Sequence, residues 1–362
     1  MIYNDIRKQK REVRIGNLSI GGQNPICIQS MTNTDTEQVD ATVSQIKALE
    51  DAGCEIVRIT VPNLNAVKTI DSIRAAGVKI PVVADIHFDY QIAIACAEAG
   101  FDKIRINPGN IGDDGKVKEV VKACLAHKVP IRIGVNSGSL EKHILAKYGA
   151  PTADALVESA LYHVSLLERF DFNDIVVSIK SSDVPTMISA NRLLSASCPY
   201  PIHLGVTESG GGERGLVKSA IGLGSLLADG IGDTIRVSLT DSPVEEIKAA
   251  KAILQALGIK GKCGLDIVSC PTCGRTKIDL IALVKEFERR VAAEGLSNVP
   301  VKVALMGCAV NGPGEAKEAD FGIAGGIGEA LFFRHGQVVE KISEGAIIER
   351  LLSEIRRYCK DT

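Results

Sequence analysis

Hydrophobic and polar positions along this chain change period in a regular way. Eight short runs rich in β-branched residues, at 25–32, 55–61, 80–87, 103–108, 130–136, 174–181, 201–208 and 234–239, read as strands. Each is followed by a stretch with apolar residues at helical spacing. Several of those stretches close on a glycine (Gly53, Gly77, Gly100, Gly258), the residue that ends a helix cheaply in the left-handed conformation. The eighth helix also has an expected start, because Ser242-Pro243-Val244-Glu245 has the form of a capping box with Pro at the first helical position. Eight β–α units in a row predict an α/β fold, either a closed (β/α)8 TIM barrel or a long doubly wound sheet. The count of eight, with no G-x-G-x-x-G after the first strand, favours the barrel. Residues 11–24 read as a hairpin placed to plug the barrel floor.

After Gly258 the pattern changes. Segments 265–269, 299–305, 320–323, 330–334 and 338–342 read as strands, and 277–293 and 345–357 as helices. This predicts a smaller α+β module, joined through Ile259-Lys260-Gly261-Lys262. The expected division is a substrate-binding barrel over 1–260 and an α+β domain over 261–362.

Composition narrows the function classes. A chain of 362 residues with 45% hydrophobic and 24% charged residues has the profile of an ordinary soluble protein with a sizeable core. The formal charge of −2 gives no electrostatic reason to expect nucleic acid or an anionic membrane as partner. Aromatics at 4%, with no Trp, weaken any base-stacking role. Residues 1–11 lack the apolar core of a signal peptide, and no run approaches a membrane-spanning helix, so a cytosolic protein is expected. In that compartment the ten cysteines read as core residues, metal ligands or catalytic thiols rather than disulfides.

The barrel prediction tells where to look, because such barrels carry their sites at the C-terminal strand ends. Those ends read Arg58-Ile59-Thr60, Asp85-Ile86-His87, Arg105-Ile106-Asn107, Arg132 through Asn136, Ser178-Ile179-Lys180, Thr207-Glu208 and Arg236-Val237-Ser238. Polar residues two apart share one strand face. Cations converging on one mouth need an anion to join them, and the planar fork of arginine suits phosphate oxygens. Phosphate or diphosphate recognition is therefore expected of Arg58, Arg105 and Arg132, with Lys180 and Ser238 as helpers; strand register could turn Arg236 outward. Asp85, His87 and Glu208 are acid–base candidates, and His203 reads as core. The loop from Ser209 to Gly215 could cradle phosphate through backbone N–H groups or serve as a lid hinge.

The second constellation is Cys270-Pro271-Thr272-Cys273 with Cys308 in a Gly/Pro-rich loop. C-x-x-C alone is a weak signal, shared by zinc ribbons, redox dithiols and iron–sulfur sites. No second C-x-x-C or His partner follows, so a zinc knuckle is one ligand short. Three thiolates suit three irons of a cubane and leave the fourth open or oxygen-bound, with Glu315 on the same loop as the oxygen donor.

Taken together, Ser-Cys-Pro-Thr-Cys-Gly-Arg from Ser269 and Met-Gly-Cys-Ala-Val-Asn-Gly-Pro-Gly-Glu from Met306 resemble the 4-hydroxy-3-methylbut-2-enyl diphosphate synthase family (IspG or GcpE). The likeness extends to Pro25-Ile26 with Gln29-Ser30-Met31-Thr32, Ala84 to Phe88, Arg105 to Asn110, Gly134 to Leu140, Ser178 to Ser182 and His203 to Glu208. It covers essentially the whole chain, in the compact two-domain bacterial form. The resemblance implies a 4Fe-4S cluster on Cys270, Cys273, Cys308 and Glu315, and 2-C-methyl-D-erythritol 2,4-cyclodiphosphate as substrate. It implies diphosphate contacts from Arg58, Arg105, Arg132 and Ser238, with Asp85, His87, Asn107, Asn136 and Lys180 nearby, and Glu208 as proton donor. It further implies a reduced flavodoxin or ferredoxin as electron donor and a head-to-tail homodimer in which one subunit's cluster caps its partner's barrel. Two rivals remain at this level: a phosphate-binding aldolase or synthase with a structural zinc, and an iron-responsive regulator without enzymatic activity.

Overall fold

The eight predicted strands form one closed ring. In the computed structural model, which describes residues 5–259, 264–309 and 317–361, they are β1 (Cys27–Met31), β2 (Ile56–Thr60), β3 (Val82–Asp85), β4 (Lys103–Ile106), β5 (Ile131–Asn136), β6 (Ile175–Lys180), β7 (His203–Leu204) and β8 (Thr234–Ile235). All pair in parallel in the order β6-β5-β4-β3-β2-β1-β8-β7, and a parallel bridge between Val177 and Ile202 joins the two ends. The ring is a (β/α)8 barrel.

The strands are buried along nearly their whole length because both of their faces are covered; in β2, β4, β5 and β6 the outer face is apolar throughout and the inner one turns polar toward the mouth. Ile56, Val57 and Ile59 are all fully buried, Ile56 in the barrel interior and Val57 and Ile59 against the helical shell. That shell includes α1 (Val39–Asp51), α2 (Thr69–Ala75), α3 (Tyr90–Glu98), α4 (Asp114–His127), α5 (Ala153–Glu168), α6 (Val184–Ser197), α7 (Gly212–Ala228) and α8 (Pro243–Ala256). The helix-ending glycines Gly53, Gly77, Gly100 and Gly258 all have positive φ, as their positions require.

Two local expectations need correction. β7 and β8 are shorter than the runs 201–208 and 234–239, because beyond Leu204 and Ile235 the ladder thins to single bonds, such as Arg236 N–H to the Leu204 carbonyl at 2.9 Å. The capping box at Ser242 does not form. The Ser242 side chain makes no cap, and the Glu245 carboxylate turns to Lys248 at 2.6 Å instead.

The barrel floor is plugged by the antiparallel pair Val13–Ile15 and Leu18–Ile20. Val13, Ile15 and Ile20 pack on Cys27, Ile56, Val83 and Val176 near the strand starts. Each such side chain, fully buried, contributes roughly 1.5–3 kcal/mol. The floor cluster is apolar, although Lys103, level with Val83, and His203 and Thr234, level with Cys27, are buried beside it; the open polar cavity lies above.

The chain divides into two compact units, Met1–Leu257 and Gly258–Thr362. The second carries β9 (Asp266–Ser269), β10 (Lys302–Met306), β11 (Phe321–Gly325), β12 (Glu329–Arg334) and β13 (Gln337–Ser343) in sequential order. The first three strands are parallel and the last two antiparallel, giving a mixed sheet. Helices α9 (Leu280–Ala293) and α10 (Ile347–Asp361) supply Leu280, Phe287, Leu351 and Ile355 to its core. α9 begins three residues later than the apolar pattern implies, because the Asp279 side chain accepts the Ala282 N–H at 3.0 Å and sets the N-cap there. No helix among the described residues is long and apolar enough to cross a membrane.

Candidate active site

The parallel register assembles the barrel mouth. Met31 pairs with Arg58, Asp85 with Arg105, Arg105 with Arg132, Gly134 with Ser178, and Asn136 with Lys180. The twofold alternation of each strand then turns these side chains toward the axis. They enclose a cavity of about 220 Å³, together with His87, Thr207, Arg236 and Ser238.

Two glycines make room for the long cations. A Cβ on Gly134 would lie 2.7 Å from Arg105 Nε, and one on Gly205 would lie 2.6 Å from Lys180 Nζ. Any side chain at either position would push a cation out of place.

The charges in the mouth are unbalanced. Asp85 accepts from Arg105 Nη1 at 2.9 Å and lies 3.4 Å from Arg58 Nε. Burial alone would raise the Asp85 carboxyl; Arg58, then Arg105, Arg132 and His87, outweigh it and hold the group well below the usual carboxylate range. Burial, with repulsion from Arg236 and Arg105, lowers Arg58 to about 10. Arg132 is 1% exposed, and its Nε and Nη1 find no hydrogen-bond partner among the described residues. Burial first, then Arg58 and its fellow cations, drive Arg132 and Lys180 well below their ordinary values. Arginine does not give up its proton in proteins, so such a site calls for an anion.

Of the residues expected from sequence, Arg58, Asp85, His87, Arg105, Arg132, Asn136, Lys180 and Ser238 line this one cavity. Arg236 lines it too: its register is inward, and its Nε and Nη2 each reach Glu246 at 3.1 Å. Asn107 is buried just past β4 and is not part of the lining. Glu208 is also outside the lining; it is exposed, one residue beyond Thr207, with a left-handed φ of 52°. Met31 and Gly134 went unnoticed as site residues, although each lies on the inward face of its strand. The Gly loop after β7 does not line the cavity. It leads into α7 and is tied to the exit of β8, where Ser209 Oγ donates to the Ser238 carbonyl and Thr240 N–H to that of Gly210.

The cysteine site belongs to the second unit. Cys270 follows β9 and Cys308 lies just past β10, and these strands are parallel neighbours with Ser269 opposite Leu305. The Gly307 N–H donates to Cys270 Sγ at 3.2 Å, and the Lys277 N–H donates to the Gly307 carbonyl at 2.9 Å. Cys273 is exposed, and hydrogen bonds from Arg275, backbone first, hold its thiol below the ordinary value. Two thiol-bearing loops therefore lie side by side, with an amide already donating to sulfur, which fits a thiolate-ligated metal centre. Among the described residues no three Cys, His, Asp or Glu side chains are gathered at metal-binding distance, and Glu315 lies outside those residues.

A closed parallel barrel with a cationic mouth, followed by a thiol-bearing mixed-sheet unit, defines a barrel protein built to hold a small polyanion. Residues 10–251 match the GcpE TIM-barrel domain and residues 266–357 the GcpE protein C-terminal domain; the chain belongs to the GcpE family. It is 57% identical over 349 residues to the 4-hydroxy-3-methylbut-2-en-1-yl diphosphate synthase (flavodoxin) of Clostridium perfringens, spanning 96% of this chain and 99% of that one. The protein of the same name from Fusobacterium nucleatum is 56% identical over 346 residues, 96% of each chain. Among solved structures, the type I 3-dehydroquinate dehydratase of Clostridium difficile aligns with a TM-score of 0.51 at 16% identity, covering 69% of this chain and 98% of that one, a likeness of barrel fold alone.

Proposed function

We propose that this protein is an enzyme that reductively opens 2-C-methyl-D-erythritol 2,4-cyclodiphosphate to (E)-4-hydroxy-3-methylbut-2-enyl diphosphate in non-mevalonate isoprenoid synthesis. The observation that carries the reading is the unbalanced cationic mouth, in a chain whose relatives bear the name of that synthase over nearly their whole length. In the reaction a ring C–O bond and the C–O bond of the departing hydroxyl both break. Two electrons enter, one proton leaves with the hydroxyl as water, and the freed phosphate oxygen takes the new negative charge.

The chain's own residues suit those demands. Arg58, Arg105 and Arg132 bind the diphosphate, with Ser238 as a further donor, and they neutralise the charge that grows as the ring opens. Asp85 keeps two of those guanidinium groups in place. His87, Asn136 and Lys180 orient the carbon skeleton from the same cavity. Asn107, buried just past β4, is proposed to lie near the bound substrate although it does not line the cavity. Glu208 donates the proton to the leaving hydroxyl, from a loop that must bring it to the mouth when substrate is bound.

Cys270, Cys273 and Cys308, with Glu315 as the oxygen ligand, would hold a 4Fe-4S cluster, which supplies the electrons and a Lewis-acidic iron. Flavodoxin, which the relatives' names carry, is the proposed donor, with ferredoxin as the alternative, and the cytoplasm is the proposed site of action. The test is anaerobic purification with iron, sulfide and zinc analysis, then dithionite reduction with the cyclodiphosphate. About four irons per chain and a linear diphosphate product are expected. Zinc without iron sinks the reading. Cys270→Ser should lose cluster and turnover together, whereas Glu208→Gln should keep the cluster and lose turnover. Full turnover by Glu208→Gln removes its acid role.

A head-to-tail homodimer, one copy's cysteine site serving the other's barrel, is part of the same proposal. Mixing Cys270→Ser with Arg132→Met chains should restore part of the activity that each lacks. No recovery after verified subunit exchange argues that each chain works alone.

A further inference from the structure

We infer that Glu246, which does not line the cavity, is a positioning residue for the diphosphate site, acting through Arg236 and the strand exit that carries Ser238. The inference rests on reading the barrel mouth as that site.

Glu246 lies in the first turn of α8 and is only 3% exposed. Its Oε2 accepts from Arg236 Nε at 3.1 Å and from Ser30 Oγ at 2.8 Å. Its Oε1 accepts from Arg236 Nη2 at 3.1 Å and from the Leu239 N–H at 3.2 Å. Four hydrogen bonds fall on two oxygens, about the full lone-pair capacity of a carboxylate. One edge of the Arg236 guanidinium is therefore locked from behind. The remaining group, Nη1, stands 3.5 Å from Met31 Sδ at the cavity wall.

Three elements meet on this one carboxylate. Ser30 belongs to β1, Arg236 follows β8, and Leu239 is the residue after Ser238. The Leu239 bond fixes the backbone that leaves β8 just as it delivers Ser238 to the cavity. The charge matters as much as the geometry. Arg236 repels Arg58 and Lys180. A carboxylate on its outer side lets the cation remain in that company while leaving its inner face directed at the ligand. Asp85 does the same for Arg58 and Arg105 from inside the mouth. Glu246 does it without occupying ligand space.

A purely structural ion pair would stabilise α8 and leave ligand affinity alone, so the test must separate the two. The cluster-loaded enzyme and its Glu246→Gln and Arg236→Met variants, singly and combined, are titrated with the cyclodiphosphate by calorimetry, and KM and kcat are measured. Glu246→Gln should weaken binding by about tenfold and raise KM by more than it lowers kcat. In the Arg236→Met background the same change should cost less than about twofold, because the cation is gone while the Gln side-chain oxygen still accepts the Leu239 N–H. Wild-type affinity in Glu246→Gln overturns the inference, as does an equal loss in both backgrounds. Should Glu246→Gln fail to fold, Ser30→Ala takes its place: it removes a single donor from Oε2 and should weaken binding by a few-fold, and unchanged binding counts against the proposal. Failure of the wild-type enzyme itself to bind the cyclodiphosphate would instead remove the diphosphate reading.

Discussion

Arginine is plentiful both in the barrel mouth and on the helix–sheet surface of the second unit, but the two regions treat it in opposite ways. On the second unit every guanidinium of the cluster has a carboxylate. Arg334 and Arg350 share Glu354 at 2.7–2.8 Å, and Arg350 also reaches Glu340. Arg290 and Arg356 both reach Glu294 and Glu349. In the mouth, Arg58 and Arg105 divide a single Asp85 and Arg236 is held from behind the wall by Glu246, while Arg132 and Lys180 form no ion pair among the described residues. The number of arginines therefore says little about function. The number of carboxylates left to answer them separates a structural network from a binding site.

That contrast is broken most sharply at Arg132. Arg132→Met keeps the volume and the buried position but removes a charge held without a partner. The expected result is a gain in unfolding free energy of about 1–4 kcal/mol, together with a loss of cyclodiphosphate affinity of at least about 100-fold. Thermal denaturation without ligand and a binding titration read the two effects separately. A variant that loses stability would show that Arg132 is satisfied in the empty protein, and the comparison between the regions would collapse.

The same contrast explains what the chain reveals before it folds. The eight strands are legible because each carries apolar residues at alternate positions that face the helical shell, and the mouth is legible because its polar residues recur two apart at strand ends. Arg236 is different. It stands between Thr234 and Ser238 at the same spacing, but whether that row points inward depends on ring closure, a long-range event. Glu246 leaves a subtler trace. It interrupts the buried stripe of α8 that otherwise runs through Ile247, Ala250, Ile253 and Leu254. A lone carboxylate within a buried helical stripe must find a partner, and that signal can be read from spacing once it is sought. The failed cap at Ser242 and the left-handed Glu208 have no such trace. In the first, the Glu245 carboxylate is taken by Lys248, three residues beyond it, and the second is a backbone state that side-chain identity does not announce.

A smaller effect is expected at Glu354, where the charges are matched. Its side chain is 5% exposed, beneath Arg334 and Arg350, which remain 32% and 22% exposed. Burial pushes this carboxyl up, but hydrogen bonds from Arg334 and Arg350 outweigh it and hold the group below its ordinary 4.5. A carboxyl depressed in the folded state contributes stability that is present in full above its unfolded pKa and is lost as pH falls through the folded value. Glu354→Gln should therefore cost about 1–2 kcal/mol near pH 7, because both guanidinium groups keep an exposed edge to water. The gap between variant and wild type should narrow from about pH 4.5 downward and close once the wild-type carboxylate is protonated. Turnover should be unchanged, since the residue serves the scaffold. Urea denaturation at neutral and acidic pH measures the gap, and a cost that persists undiminished in acid would mean that shape, rather than charge, is what Glu354 supplies.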